Sequence, residues 1–325
     1  MASTKKPFRF AVQSGLGTGG LEPKDWAEFA RLLEGWGFSV MLIPDHFLPV
    51  LSPIPAAMAA AQATSVLHVG PFVVNMAWRH PAVLAKEAAT VDFLSGGRFE
   101  VGIGTGYQAW QQEAAGVPFE SAGERINRLI EYVKVLKGLL ANESFSFSGR
   151  YYEIKDLKVE PRPVQRPQPP IVVGGNGRRL LRLAAQEADV VGMTLGGLAP
   201  GQTPWDGLRE KVDWVRETAG PRFEQLELNL MVTGPIPIGM ERGEAVSYAI
   251  ERGLGGGRPG SQPYKDPKEL DSPAILLGTV DQVCEQLQAM REQYGLSYIT
   301  YFPPADRYRE FVDALGPVVK RLAGS

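Results

Sequence analysis

The sequence predicts an α/β fold of the (β/α)8 TIM-barrel type with insertions. Short runs rich in β-branched and aromatic residues alternate almost from end to end with amphipathic stretches of helical period, as expected for parallel strands joined by crossover helices. Eight such runs can be counted, which favours a closed barrel over an open doubly wound sheet. Polar and glycine residues gather at the carboxyl ends of the runs, whereas ordinary loop residues occupy the opposite ends. The 325 residues read as one barrel domain with a hairpin insertion near 145–170 and a lid-like insertion near 235–272.

Residues 8–13 form the first expected strand. A helix over Pro23–Trp36 follows, because Trp26, Phe29, Ala30, Leu33 and Trp36 share one face, and Gly35 and Gly37 close it. Residues 39–44 and 68–74 are the second and third strands. Pro81 opens a helix where its missing N–H does no harm, and Ser95-Gly96-Gly97 ends it. Residues 99–104 make the fourth strand and 122–140 a long helix. The stretch 145–154 alternates like a hairpin about Ser148-Gly149, and the prolines of 161–170 suit an extended, stiff crossing back to the barrel.

Residues 171–174, 189–193 and 226–232 are the fifth to seventh strands, with a helix between the first two of these. The segment 235–272 is rich in Gly, Pro and charge; it is expected to carry one short helix, cover the site and set specificity. A helix over 280–294, a strand over 298–302 and a helix over 307–322 complete the alternation.

Composition narrows the function. A chain with 44% hydrophobic and 22% charged residues can bury a large core, and a net charge of −2 gives no electrostatic footing for nucleic acid or an anionic membrane. No stretch has the length of a membrane span and the amino terminus shows no secretory signal, so a cytoplasmic protein is expected. One cysteine, Cys284, excludes an internal disulfide framework, and its helical context reads as burial. The three histidines are far apart and lack a carboxylate cluster, which argues against a metal site. No Gly-x-Ser-x-Gly elbow is present for a serine hydrolase.

In a barrel of this type, chemistry sits at the carboxyl ends of the strands. Those ends present Gln13-Ser14, Pro44-Asp45-His46, Asn75-Met76, Gly104-Thr105-Gly106-Tyr107, Gly174-Gly175-Asn176-Gly177, Met193-Thr194, Thr233-Gly234 and Tyr301-Phe302-Pro303. Gly174 to Arg178 join a strand to a helix, so they are either a phosphate-binding loop or a tight turn. Gly102-Ile103-Gly104-Thr105-Gly106 lacks the third glycine and the acidic partner of a dinucleotide fingerprint, and reads instead as a backbone shelf for the same cofactor. His46 is placed either for acid–base work or cofactor contact or as a solvent-facing loop histidine, while His80, before Pro81, reads as structural. Phe47, Trp78, Tyr107 and Trp110 form either an apolar rim or core packing. The run from Pro55 to Ala61 suits either an interface or the core.

These residues resemble a known family. The stretch from His80 to Arg98, Val101 to Tyr107, Pro44-Asp45-His46, Gly149-Arg150-Tyr151-Tyr152, Pro169 to Gly175 and Leu181 to Asp189 together resemble the luciferase-like monooxygenases, (β/α)8 barrels that use FMN or the deazaflavin coenzyme F420. Within that superfamily the pattern is most similar to the F420-dependent oxidoreductases typical of actinobacteria. The resemblance implies hydride transfer between F420 and a small organic substrate of C=C, C=N or carbonyl type, with FMN-dependent monooxygenation or non-catalytic cofactor binding as alternatives. It implies a non-prolyl cis peptide near Asn75-Met76 beneath the cofactor ring, and a homodimer. Cofactor contacts would come from Asp45, His46, Asn75, Met76, Gly104, Thr105, Gly106, Tyr107, Gly174, Gly175, Asn176, Gly177, Arg178 and Met193, with His46 and Tyr107 as the catalytic candidates. Sugar-phosphate dehydrogenases of the family carry Glu where this chain has Tyr107, so that activity is not expected; Tyr107 either donates a proton or bounds the pocket.

Overall fold

Alternation of strand and helix patterns resolves into eleven strands and ten α-helices in the computed structural model of the chain, which describes residues 6–14, 22–233, 237–255, 262–303 and 308–325. The strands are β1 (Arg9–Gln13), β2 (Val40–Ile43), β3 (His68–Pro71), β4 (Val74–Asn75), β5 (Val101–Gly104), β6 (Phe145–Ser148), β7 (Glu153–Leu157), β8 (Ile171–Gly175), β9 (Val190–Met193), β10 (Glu227–Val232) and β11 (Leu296–Tyr301). The helices are α1 (Pro23–Trp36), α2 (Pro53–Ala63), α3 (Pro81–Ser95), α4 (Ala109–Ala114), α5 (Ala122–Ala141), α6 (Arg178–Glu187), α7 (Pro204–Ala219), α8 (Arg242–Glu251), α9 (Val280–Tyr294) and α10 (Tyr308–Leu322). Arg307, the expected start of the last helix, lies outside the described residues, as do Gly234 and Pro235.

Nine strands form one parallel sheet in the order β3-β2-β1-β11-β10-β9-β8-β5-β4. The two ends of that order, β3 and β4, are consecutive pieces of the one strand expected over 68–74. They are parted by Phe72-Val73, which are joined by a non-prolyl cis peptide. The order therefore closes on itself: β3 pairs with β2, β4 pairs with β5, and Val69 also bridges to Phe99. The result is a (β/α)8 barrel whose third stave is bulged. The cis bond lies at Phe72-Val73 and not near Asn75-Met76; family spacing located the bulge only approximately, and the chain turns inward before, not after, Val74.

Alternate residues of each stave face inward. Ala11, Val40, Leu42, Phe72, Val172, Val190, Met231 and Tyr298 form the apolar filling of the barrel, with Val73 packed on it. A larger apolar layer lies between staves and helices and includes the buried Ala56, Ala57, Ala60 and Ala61 of α2, which places most of the Pro55 to Ala61 run in the core. At the amino-terminal end of the barrel Arg9 bonds Glu100 and reaches Glu227 at 2.7 Å, while Tyr298 donates to Glu100 at 3.3 Å. These charges close the floor.

The expected hairpin is β6–β7, paired antiparallel. It is tied to α5 by Glu131, whose carboxylate accepts from Arg150 N and Tyr151 N, both at 2.9 Å. The proline-rich crossing is held by Asp92, fully buried in α3, which accepts from Val164 N at 2.6 Å and from Gln165 N at 3.0 Å. Among the described residues of the 235–272 insertion, α8 and a 3-10 turn over Pro267–Leu270 pack through Ala245, Ala249 and Leu270 against Ile275 and Leu277. Cys284 is buried. No helix among the described residues is long and apolar enough to cross a membrane.

Candidate active site

The bulge explains the glycine-rich stretch opposite it. A Cβ built on Gly102 would lie 2.2 Å from the Pro71 carbonyl oxygen, one on Gly104 would lie 2.6 Å from Val73 Cγ2, and one on Gly106, at φ +70°, would lie 2.6 Å from the Asn75 amide. Residues 102, 104 and 106 thus face 71, 73 and 75 in step, so every second residue on this edge has given up its side chain to the bulged stave. On the far side, Cβ atoms at Gly174 and Gly192 would lie 3.2 Å from Val73 Cγ1 and 2.9 Å from Phe72 Cζ. Phe72-Val73 therefore form an apolar ledge across the upper barrel, and Gln13 Nε2 donates to the Phe72 carbonyl beneath it.

His46 follows the end of β2, next to Asp45, which is bonded to Asn75 two residues beyond the ledge. Its ring meets that of Tyr107 edge-on, with centroids 5.7 Å apart. Gln111, on α4, lies between backbone and imidazole: its Oε1 accepts from Phe47 N at 2.8 Å, and its Nε2 lies 3.4 Å from His46 Nδ1. Burial holds the His46 imidazolium below the ordinary histidine range, against the opposing pull of Gln111 and Asp45. Tyr107 is 69% exposed, so it stands at the rim and can reach a bound molecule without rearrangement of the core.

Asp45 has a different role from its neighbour. Its Oδ2 accepts from Arg79 at 2.8 Å and from Asn75 N at 3.1 Å, tying the end of β2 to the turn after β4. Burial pushes its carboxyl up, while Arg79 and the Asn75 N–H oppose that. Asp45 holds the rim together. Asn75 Oδ1 accepts from Ala77 N at 3.1 Å, and Met76 is buried in the 3-10 turn that follows. His80 caps α3 through Nδ1, which accepts from Ala82 N at 3.2 Å, in agreement with its structural reading.

The fifth-stave loop divides by direction. Gly174 faces the ledge, whereas a Cβ on Gly175 would lie 2.2 Å from Leu180 Cδ2 of α6. Gly177 precedes α6 with open space where its Cβ would be, and Asn176 is exposed. Arg178 leans its guanidinium 5.8 Å from the Trp214 ring. Met193 is fully buried in the layer between staves and helices, so its side chain faces away from the barrel interior where Val190 lies. Of the predicted set, the fold brings His46, Asn75, Tyr107 and Gly174 around the ledge, leaves Gly177 and Arg178 at the head of α6, and turns Met193 and Gly175 outward.

Two cavities flank this arrangement. One of about 340 Å³ lies behind the rim, lined by Met76, Arg79, Thr105, Gln112, Arg125 and Tyr152 among others. The larger, about 410 Å³, opens at the floor beside Arg9, Ser39, His68 and Glu100, at the end of the staves opposite the His46 rim. Its ion-pair lining marks a structural closure of the barrel. Among the described residues no group of His, Cys, Asp and Glu is placed to hold a metal ion. Sequence reasoning missed Gln111, Arg79 and the Phe72-Val73 ledge. Tyr107 precedes α4, so helical spacing could not relate it to Gln111.

The class defined by this fold and rim, a bulged (β/α)8 barrel with a histidine at the second stave, has a known counterpart. The family model described as luciferase-like monooxygenase matches residues 7–297, and the chain belongs to that family. It is 33% identical over 242 residues to an FMNH(2)-dependent dimethylsulfone monooxygenase of Pseudomonas putida, covering 69% of this chain and 64% of that protein. It is 34% identical over 218 residues to an F420-dependent glucose-6-phosphate dehydrogenase of Kineococcus radiotolerans, covering 64% of each. The match thus spans less than two thirds of either relative's length. The fold is shared with an F420-dependent tetrahydromethanopterin reductase of Methanopyrus kandleri, at TM-score 0.76 and 19% identity over 98% of this chain and 99% of that one. It is shared also with a long-chain alkane monooxygenase, at TM-score 0.73 and 17% identity over 98% and 92%. These relatives are F420-dependent and FMNH(2)-dependent enzymes by name.

Proposed function

We propose that the enzyme transfers a hydride between coenzyme F420 and a small organic substrate of C=C, C=N or carbonyl type. The observation that carries this reading is the placement of two proton-handling side chains, His46 and Tyr107, edge to edge, with Asp45 next to His46 bonded to Asn75 just past the apolar ledge. A hydride delivered to a polarised carbon leaves a heteroatom that needs a proton, and a ring-stacking ledge beside two donors meets both needs.

The residues present fit a planar ring with an anionic tail. Val73, with Gly174 cut back beside it, offers a surface without a protruding side chain, and open space at Gly177 leaves the head of α6 approachable by a phosphate. Asn75 and Gly174 would hold the ring, and Gly177 and Arg178 the phosphate end. When bound, the deazaflavin supplies two-electron chemistry with little reactivity toward oxygen. The chain's own part is to orient the substrate against His46 and to exclude water through the aromatic rim. Tyr107 in place of a carboxylate argues against a sugar phosphate as substrate. The insertion 235–272 is proposed to cover the mouth.

The second reading, an FMN-dependent monooxygenase, is favoured by the identity to the Pseudomonas putida enzyme. Anaerobic turnover separates the two. The proposal expects oxidation of reduced F420 by a panel of enones, imines and ketones in the absence of oxygen. Turnover only with reduced FMN and oxygen would replace it with the second reading.

A further inference from the structure

Gln111 carries more information than its distances alone. It is 2% exposed, so water does not compete for its amide. The Phe47 backbone N–H can only donate, so the atom 2.8 Å away must be the Gln111 oxygen. The amide nitrogen, which can only donate, then faces His46 Nδ1 at 3.4 Å. A nitrogen that receives a hydrogen bond carries a lone pair, so the hydrogen of neutral His46 belongs on Nε2. The second hydrogen of the same amide goes to Gln108 Oε1. That in turn fixes Gln108 Nε2 as the donor to the Tyr107 hydroxyl oxygen at 3.0 Å. Every bond in the chain points the same way, starting from one backbone donor whose polarity cannot be reversed.

We infer that Gln111 is a positioning residue that sets the tautomer of His46, so that Nε2–H of His46 and O–H of Tyr107 are both presented as donors at the rim. Such a pair recognises an acceptor atom. A carbonyl oxygen or imine nitrogen satisfies it, whereas an alcohol awaiting deprotonation meets two donors and no base. The tautomer assignment stands whatever the cofactor; the preference for a C=O or C=N acceptor rests on the hydride-transfer reading above.

The test is long-range proton–nitrogen correlation NMR on the full chain labelled with ¹⁵N-histidine. His80 is an internal standard, since the Ala82 N–H likewise fixes its Nδ1 as acceptor. His68→Gln and His80→Gln assign the three imidazoles. His46 is expected to show an unprotonated Nδ1 and a protonated Nε2 near pH 7. In Gln111→Glu one carboxylate oxygen keeps the Phe47 bond while the other accepts from Nδ1–H. The tautomer should then switch, and the His46 titration midpoint should rise by about 1–3 units, as for a carboxylate placed beside a titrating group. Unchanged His80 and His68 signals show that the variant has folded. An Nδ1–H tautomer in the wild type, or a folded Gln111→Glu in which His46 neither switches nor shifts, would overturn the inference. If the tautomer holds but ketones and imines are not reduced, the substrate assignment fails while the role of Gln111 stands.

Discussion

A Cβ on Gly104 would meet Val73 Cγ2 at 2.6 Å, a side-chain contact that can be relieved, whereas one on Gly102 would meet the Pro71 carbonyl at 2.2 Å, which cannot. The two substitutions should therefore behave differently. Gly104→Ala is expected to cost about 1–3 kcal/mol through overpacking. Paired with Val73→Ala, it should cost less than the sum of the two single changes by about 0.5–3 kcal/mol, because the smaller residue yields the space. Gly102→Ala should gain little from Val73→Ala, because its 3.3 Å approach to Val73 Cγ1 is secondary to the carbonyl clash. Urea denaturation of the singles and doubles checks this; strict additivity at Gly104 would remove the packing explanation. At this scale the sequence was partly legible. His46, Asn75 and Tyr107 could be placed from strand-end positions alone, since alternation fixes which end is which. The glycines were visible too, but their reason was not: their partners are one stave away, and only the register of β5 against the bulge reveals that each clears a particular side chain. Met193 was legible as a strand-end residue but not by face: Val190 looks into the barrel, and alternation from it turns Met193 outward.

Segments with weak patterns of their own are held by single buried carboxylates. The crossing over 161–170 has few regular bonds, and Asp92 takes two backbone N–H groups and the Gln165 side-chain amide of that segment. Asp92→Ala leaves these buried donors without an acceptor and should cost about 1.5–3 kcal/mol. Hydrogen exchange should accelerate selectively at Val164 and Gln165; uniform acceleration across the barrel would point to a global defect instead. The elements themselves were largely legible, because amphipathic period and capping chemistry are local. Pro81 at the head of α3 and Gly37 after α1 act where the pattern placed them. What stayed hidden was the splitting of the third stave into β3 and β4, since no local propensity marks an inward turn at Phe72-Val73.

The barrel as a whole is closed at the floor by charge. Glu100 is 1% exposed and is bonded by the Arg9 guanidinium, so Arg9→Met leaves a buried carboxylate without that cation and should cost about 3–5 kcal/mol. His68 stands 3.8 Å from Glu100 on the same floor. Burial lowers the pKa of both His68 and His46 below 6.5, so the unfolded chain takes up these protons first as the solution is acidified. Their contribution is fully present above pH 6.5 and is lost as pH falls through the folded values. Thermal unfolding should show a smaller drop in Tm between pH 7 and pH 5 when both are replaced by Asn; an unchanged slope would contradict the burial account. The closed eight-stave topology was legible from the count of strand patterns, whereas the floor cluster was not, because Arg9, Glu100 and Glu227 are scattered along the chain and meet only on closure.

The central claim is that the rim holds a deazaflavin and moves hydride, and binding tests it before any substrate is known. Purified protein titrated separately with F420 and with FMN, followed by cofactor fluorescence at fixed ionic strength, should saturate with F420 at micromolar concentration and bind FMN far more weakly. Tight FMN binding without F420 binding would contradict the claim and assign the ledge and its histidine to oxygen-using flavin chemistry.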